Sequence, residues 1–300
     1  MIINKEEVFS GHEGAIYTLE NSIDSDFFFS GGSDGNLSKW EKHNFLQPEA
    51  FSKTNSPIYA IRMVREKNLL LSGTGLGEFY ALDILTKKLV FAGKYHDSGI
   101  FDIHHSLDNQ KIYTCSSSGE IAMWDFNNFE LLKKEIITSG KVRSLTLSKD
   151  ETELALACGD GSIQIFDAVT LDEKIKINAH ENSCNCVCFH PNGKYLISGG
   201  RDAHLRIWNT KDYSKFMEIP AHNYAIYSIA FSPDEKLFAT ASRDKTAKIW
   251  DANDFSFLSR IDREKSDAHS HSVNKILWLN SNELLTAGDD RKIMLFTIQQ

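Results

Sequence analysis

Basic side chains are in the minority in this 300-residue chain: 33 Lys and Arg against 41 Asp and Glu leave a formal net charge of -8. A general phosphate-backbone binder needs the opposite excess to release counterions, so nucleic acid is not an expected partner. Cysteine is scarce and odd in number, five in all, with no spacing suited to a secreted disulfide framework, which points to a reducing compartment. No stretch approaches the roughly 18 apolar residues that a membrane-crossing helix requires. Acidic Glu6 and Glu7 stand where a secretory signal would run apolar. The expectation is a cytoplasmic protein with no membrane partner. Proline is rare, at five residues, and no low-complexity stretch interrupts the chain, so an ordered fold is expected. A glycine-rich phosphate loop is missing too: Gly73-Thr74-Gly75-Leu76-Gly77 reads as a turn between strands, not as the lead-in to a helix. Helical periodicity is absent, and no cofactor is expected.

What the chain does have is a beat. Trp40, Leu82, Trp124, Phe166, Trp208 and Trp250 follow one another at 42-residue intervals, the mark of one supersecondary unit copied along the chain. Within a unit an alternating stretch such as Ile226-Tyr227-Ser228-Ile229-Ala230-Phe231 is followed by the polar turn Ser232-Pro233-Asp234-Glu235-Lys236. A second strand (237–240), a tight turn at Asp244, a third strand ending at Trp250-Asp251 and a weaker fourth complete it. Short alternating runs between such turns read as β-strands. Four strands per unit is the pattern of a β-propeller blade. The expected fold is all-β, a single domain over 1–300, with seven four-stranded antiparallel blades. After His269 only three strands remain (273–278, 284–287 and 293–298), so residues 1–10 are expected to supply the outer strand of blade 7 and close the ring.

The residues also carry a resemblance. Gly11-His12, Ala179-His180, Ala221-His222 and Ala268-His269, together with Trp124-Asp125 and Trp250-Asp251, are similar to the Gly-His and Trp-Asp pairs of the WD-repeat family along essentially the whole chain. That resemblance implies a buried hydrogen-bonded set in each blade: a His, a Ser or Thr, an Asp and a Trp. By position these are His12, Ser30, Asp34 and Trp40 in blade 1; His180, Ser198, Asp202 and Trp208 in blade 5; and His222, Thr240, Asp244 and Trp250 in blade 6. A linked His, Ser and Asp also matches a hydrolase triad, but recurrence with a Trp as fourth member makes them blade supports. Blade 3 keeps His96, Thr114 and Trp124 with Ser118 in the Asp position. Blade 7 keeps His269, Thr286 and Asp290 with Phe296 for Trp. Blade 2 keeps only Ser72, beside Thr54, Leu76 and Leu82, and blade 4 only Asp160, beside Thr138, Leu156 and Phe166.

The resemblance also orients the repeat. Five positions after each His position the family presents side chains at the mouth of the central channel on its top face; here these are Tyr17, Tyr59, Phe101, Arg143, Asn185, Tyr227 and Asn274. Aromatic side chains give large contact areas at low entropy cost. Arg201 and Arg243, each preceding a turn Asp, join Arg143 as cations suited to a carboxylate or phosphate. None of the seven positions is acidic, which argues against catalysis. The expected function is a non-catalytic scaffold, monomeric by itself, that binds a protein or peptide on this face. The alternatives are an enzyme with a small-molecule site in the channel and a structural subunit that uses the rim or bottom face. No metal site is expected: Cys184, Cys186 and Cys188 lie on one strand, and His43, His104, His105, His190, His204 and His271 show no ligand spacing. The beat breaks once, from Trp250 to Phe296, 46 residues, where a charged loop, Asp262-Arg263-Glu264-Lys265-Ser266-Asp267, is inserted on the expected top face.

Overall fold

The computed structural model describes residues 1–42 and 48–299; His43 lies outside the described residues. Strands and turns account for nearly all of it, with one 3-10 turn, Arg65–Lys67, and one helical turn, Arg263–Ser266. Among the described residues the strands form seven four-stranded antiparallel sheets, the blades of the propeller class. Blades 1 to 6 are simple meanders over 16–53, 58–94, 100–136, 142–178, 184–220 and 226–261. Blade 7 takes its first three strands from Val273–Asn280, Glu283–Gly288 and Lys292–Gln299 and its fourth from Ile2–Ser10. The chain's first strand thus pairs with its last, as the strand count predicts. Among the described residues no helix is long and apolar enough to cross a membrane.

Two compact units are present, residues 59–225 and residues 1–58 with 226–300. In the first, the strand Ile100–Ser106 packs on Val142–Leu147, which packs on Cys184–Phe189. The beat residues explain why. Trp124 of blade 3 lies in one cluster with Leu71 and Phe79 of blade 2, its ring centroid 5.1 Å from that of Phe79. Phe166 of blade 4 buries itself with Tyr113 and Met123 of blade 3, and Trp208 of blade 5 with Ala155 and Ile163 of blade 4. In the second unit Trp40 joins Phe9 and Leu295, and Phe296 joins Ala247 and Ile249. Trp40, Trp124, Phe166, Trp208 and Phe296 are thus each shared between two blades, so each of these blades is supported by its neighbour. Second strands such as Leu69–Thr74 and Leu237–Ser242 are buried along their full length, which is why they read as apolar runs and not as alternation.

The residue after the beat sets the next turn. The Asp125 carboxylate accepts the N–H groups of Asn127 at 2.8 Å and Asn128 at 3.1 Å, and Phe129 follows in the left-handed region at φ 61°. Leu171 and Phe255 repeat this after Asp167 and Asp251 at φ 60° and 63°, and Tyr213, after Asn209, shares the conformation at φ 56°. A bulky residue there costs about 1–2 kcal/mol. All four side chains are buried, and burial worth roughly 1.5–3 kcal/mol for a large apolar side chain outweighs the strain.

The insertion is ordered. Asp262 caps the turn Arg263–Ser266 by accepting the Lys265 N–H at 2.9 Å, and Asp267 follows at φ 44°. The Lys5 ammonium donates to the Asp267 carboxylate and, at 3.2 Å, to its carbonyl oxygen. The extra residues therefore fold as a helical turn fastened to the N-terminal strand.

Candidate functional site

The recurring polar sets lie inside the blades. In blade 1 His12 Nδ1 faces the Asp34 carboxylate at 2.9 Å, its Nε2 meets Ser30 Oγ at 2.7 Å, and Trp40 Nε1 donates to the same hydroxyl at 2.7 Å. The corresponding distances in blade 5, through His180, Asp202, Ser198 and Trp208, are 2.9, 2.9 and 3.0 Å. With Nδ1 donating to the carboxylate, the hydroxyl donates to Nε2 and accepts from the indole, so the chain is satisfied end to end. Arg206 adds a second layer, donating to Asp202 at 2.6 Å and to Glu218 at 3.1 Å. In blade 6 Trp250 donates to Thr240 at 3.0 Å beside buried His222. In blade 7 His269 meets Asp290 at 2.8 Å and Thr286 at 2.9 Å, and Phe296 fills the Trp position without a donor. Ser30, Ser198 and Thr240 are fully buried, which leaves these hydroxyls no path to a substrate.

Blade 3 departs from the sequence pattern in an informative way. Ser118 holds the Asp position, yet His96 Nδ1 bonds Glu120 at 3.0 Å, and His96 Nε2 reaches Thr114 at 2.7 Å, which accepts from Trp124 at 2.9 Å. The longer Glu side chain reaches the imidazole from two residues further on. Ser118 and Lys134 each donate to its carboxylate at 2.9 Å. Burial pushes the Glu120 carboxyl up, but the hydrogen bonds from Lys134, His96 and Ser118 prevail and bring it down to about 2. Burial likewise opposes the shift at Asp34, Asp202 and Asp290, where donors to the carboxylate hold it below the usual range. His96 and His180 are held below their ordinary value, chiefly by burial.

Blades 2 and 4 have no such set. In blade 4 Thr138 reaches Asp160 at 3.3 Å, while buried Gln164 spends its amide N–H on the Ile137 carbonyl and its side-chain oxygen finds no partner among the described residues. An unpaired buried carbonyl costs about 1–3 kcal/mol. Amide hydrogen exchange is therefore expected to be faster in the second and third strands of blades 2 and 4 than in those of blades 5 and 6; slower exchange there would contradict the account.

The positions five after each His have a structural signature that their spacing does not reveal. In blade 3 Ile100 pairs with Ser116 and Asp102 with Cys115, so Phe101 is the extra residue of a β-bulge. The same register break isolates Arg143 in blade 4 and Asn185 in blade 5, and Tyr17, Tyr227 and Asn274 in blades 1, 6 and 7. A bulge re-aims its extra side chain and is common beside functional sites.

Within the unit 59–225, Tyr59 and Phe101 are half-buried and meet edge to face, centroids 5.2 Å apart. The Lys141 ammonium stands 5.7 Å from the Phe101 ring centre. Arg143 Nε donates to Ser183 Oγ of the next blade at 2.9 Å, Asn185 is buried, and Arg201 is exposed in the neighbouring turn. In the other unit Asn274 donates to the Ile16 carbonyl at 3.0 Å and to Asp289 at 2.7 Å, Tyr17 and Tyr227 are half-buried, and Arg243 is exposed. Arg143 and Asn274 thus reach the following blade through hydrogen bonds, and Tyr59 reaches it through the edge-to-face contact with Phe101. Lys141 and Ser183 were not legible as members of this group, because nothing local to them repeats. Cys115, Cys158, Cys184 and Cys186 are buried free thiols; burial pushes Cys158 up to about 12 and Cys184 well up. Among the described residues no three His, Cys, Asp or Glu side chains gather to hold a metal.

Similarity to known proteins follows the same blades. The family model described as WD domain, G-beta repeat, matches residues 4–41, 87–125, 133–167, 172–209 and 214–251. Similar curated proteins include eukaryotic translation initiation factor 3 subunit I of Bombyx mori, 29% identical over 47% of this chain and 46% of its own length. A U5 small nuclear ribonucleoprotein 40 kDa protein of Dictyostelium discoideum is 28% identical over 52% of this chain and 44% of its length. A striatin homolog from the same organism is 24% identical over 68% of this chain and 27% of its length. The chain thus spans less than half the length of these relatives. Five matched repeats, the His-to-carboxylate sets and the seven four-stranded blades agree: the chain belongs to the WD-repeat family.

Proposed function

We propose that the protein is a non-catalytic interaction scaffold that binds a protein or peptide partner where the first strands of blades 2 to 5 begin, around Tyr59, Phe101, Arg143 and Asn185, with Arg201 beside them. The observation that supports this most is the recurring bulge, which lifts one side chain per blade out of the ladder at equivalent places in successive blades. Tyr17, Tyr227 and Asn274, with Arg243, are the equivalent residues of the other unit and carry the same reading there. The relatives support it coarsely, since an initiation-factor subunit and a ribonucleoprotein protein are by name components of assemblies. The net charge of -8 favours a protein over a nucleic acid as the partner. The reading as a cytoplasmic monomer rests on free, buried thiols and on pairing of the two terminal strands within one chain.

Combined substitution Tyr59→Ala, Phe101→Ala and Arg143→Ala is expected to weaken at least one partner by about 30-fold or more, the scale of a lost aromatic anchor, in quantitative affinity pull-downs. The thermal midpoint, measured in parallel, separates this from unfolding through the lost Arg143–Ser183 bond. Full retention of every partner by a folded triple variant would remove this surface from consideration.

A further inference from the structure

The fourth strand forms an edge of every blade, and a sheet edge recruits another strand unless charges or proline blunt it. Six of the seven edges carry a charged side chain within their first four residues: Glu49, Lys133, Glu173, Lys215, Arg260 and Lys5. Blade 2 does not. Its edge, Leu89–Lys94, reads Leu-Val-Phe-Ala-Gly-Lys, with no charge before the last position. Leu89 is 56% and Val90 52% exposed, and Leu85 in the turn before them is 71% exposed. The strand is nevertheless firmly seated, since Phe91 stacks on Phe129 with centroids 5.0 Å apart. Val90 is the extra residue of a bulge between Leu89, paired with Leu82, and Phe91, paired with Ala81. The basic side chains lie at the two ends, all exposed: Lys87 and Lys88 before the strand, in the turn that follows Asp83, and Lys94 at its close, paired in register with Glu78.

We propose that this edge of blade 2 accepts an extended strand from a protein partner, an apolar segment of about five residues flanked on both sides by Asp or Glu. The strand's open edge supplies backbone hydrogen bonds to any extended chain, and the exposed Leu89 and Val90 select apolar side chains. The lysines at each end select the flanking acids. They also argue against a second copy as the occupant. Antiparallel self-pairing sets Lys87 and Lys88 of one chain against Lys94 of the other, and parallel self-pairing sets each cluster against itself; like charges directly opposite are destabilising. This edge lies on the fourth strand, away from the bulge residues of the first strand, and the inference does not rest on the function proposed for them.

The test is fluorescence anisotropy of the full chain with a labelled peptide, Asp-Glu-Val-Thr-Val-Thr-Val-Glu-Asp. Binding is expected to weaken about tenfold or more with Val90→Lys, which puts a charge on the edge, and by a similar factor when the peptide's acidic ends are replaced by lysines. Methylation of alternate peptide N–H groups on the pairing side is expected to abolish it. Val90 is on the surface, so the variant's thermal midpoint should match that of the parent. No measurable binding of the parent peptide, or equal binding of the methylated or lysine-ended peptides, would overturn the proposal. A dimer of the parent chain in light scattering that Val90→Lys dissociates would also overturn it, assigning the edge to a second copy.

Discussion

Removal of residues 1–10 is expected to lower the thermal midpoint by about 10 °C or more and to promote aggregation. Ile2–Ser10 pairs along Lys292–Gln299 with one register shift, between Lys5 and Glu7. Phe9 is 6% exposed and lies edge to face with Phe28 at 5.1 Å and with Trp40 at 5.8 Å. Truncating a buried Phe alone costs about 3–5 kcal/mol, and each kcal/mol shifts the midpoint of a large domain by about 2–4 °C. Deletion also bares Lys292–Gln299, which carries Ile293, Leu295 and Phe296, as a new apolar edge. Phe9→Ala is the milder form of the test and is expected to give a substantial part of the same drop. Scanning calorimetry on both variants measures the effect; an unchanged midpoint after deletion would show that the terminal strand does not support blade 7.

The second large effect is expected from His180→Ala. The imidazole is the middle of a largely buried chain, and its loss takes one donor from the Asp202 carboxylate, which keeps Arg206 and the His204 N–H, and leaves the fully buried Ser198 hydroxyl with no acceptor for its proton. Breaking such a set costs about 3 kcal/mol. Acid should act on the same groups in the wild type. Asp34, Asp202, Asp290 and Glu120 have carboxyls lowered in the fold, so their stabilisation is fully present above their ordinary range and is lost as pH falls toward and through the folded values. His96 and His180 are lowered from 6.5 by burial, so the unfolded chain takes up protons first once pH drops below about 6.5. Both trends have one sign: stability declines on acidification from about pH 6.5, and more steeply below about pH 4. Urea midpoints measured from pH 7.5 to pH 4 check this, with a shallower upper limb expected in His180→Ala. A wild-type midpoint that rises on acidification would refute the assignment.

Much of this architecture is legible in the residues. Trp40, Trp124, Phe166 and Trp208 recur because each is buried between two blades, and Asp125 and Asp251 follow Trp because their carboxylates cap the next turn. Other features were hidden for identifiable reasons. Glu120 does not align with the turn aspartates, and its role depends on a side chain one methylene longer approaching His96 from the next strand. The inserted charges look like a solvated loop until Asp262 caps them and Lys5, from the other end of the chain, holds Asp267. The uncharged edge of blade 2 is visible in the sequence only to a reader who already knows which strand is outermost.

The sequence by itself determined the number of blades, their strand order and the polar sets that support blades 1 and 5, because repetition and turn chemistry are local properties that a period of 42 residues exposes. Only the tertiary structure decided which first-strand residue leaves the ladder in blades 1 and 3 to 7, which carboxylate serves His96 and where the inserted turn docks. Those depend on register and side-chain reach between strands distant in the chain, and spacing along one strand carries no record of either.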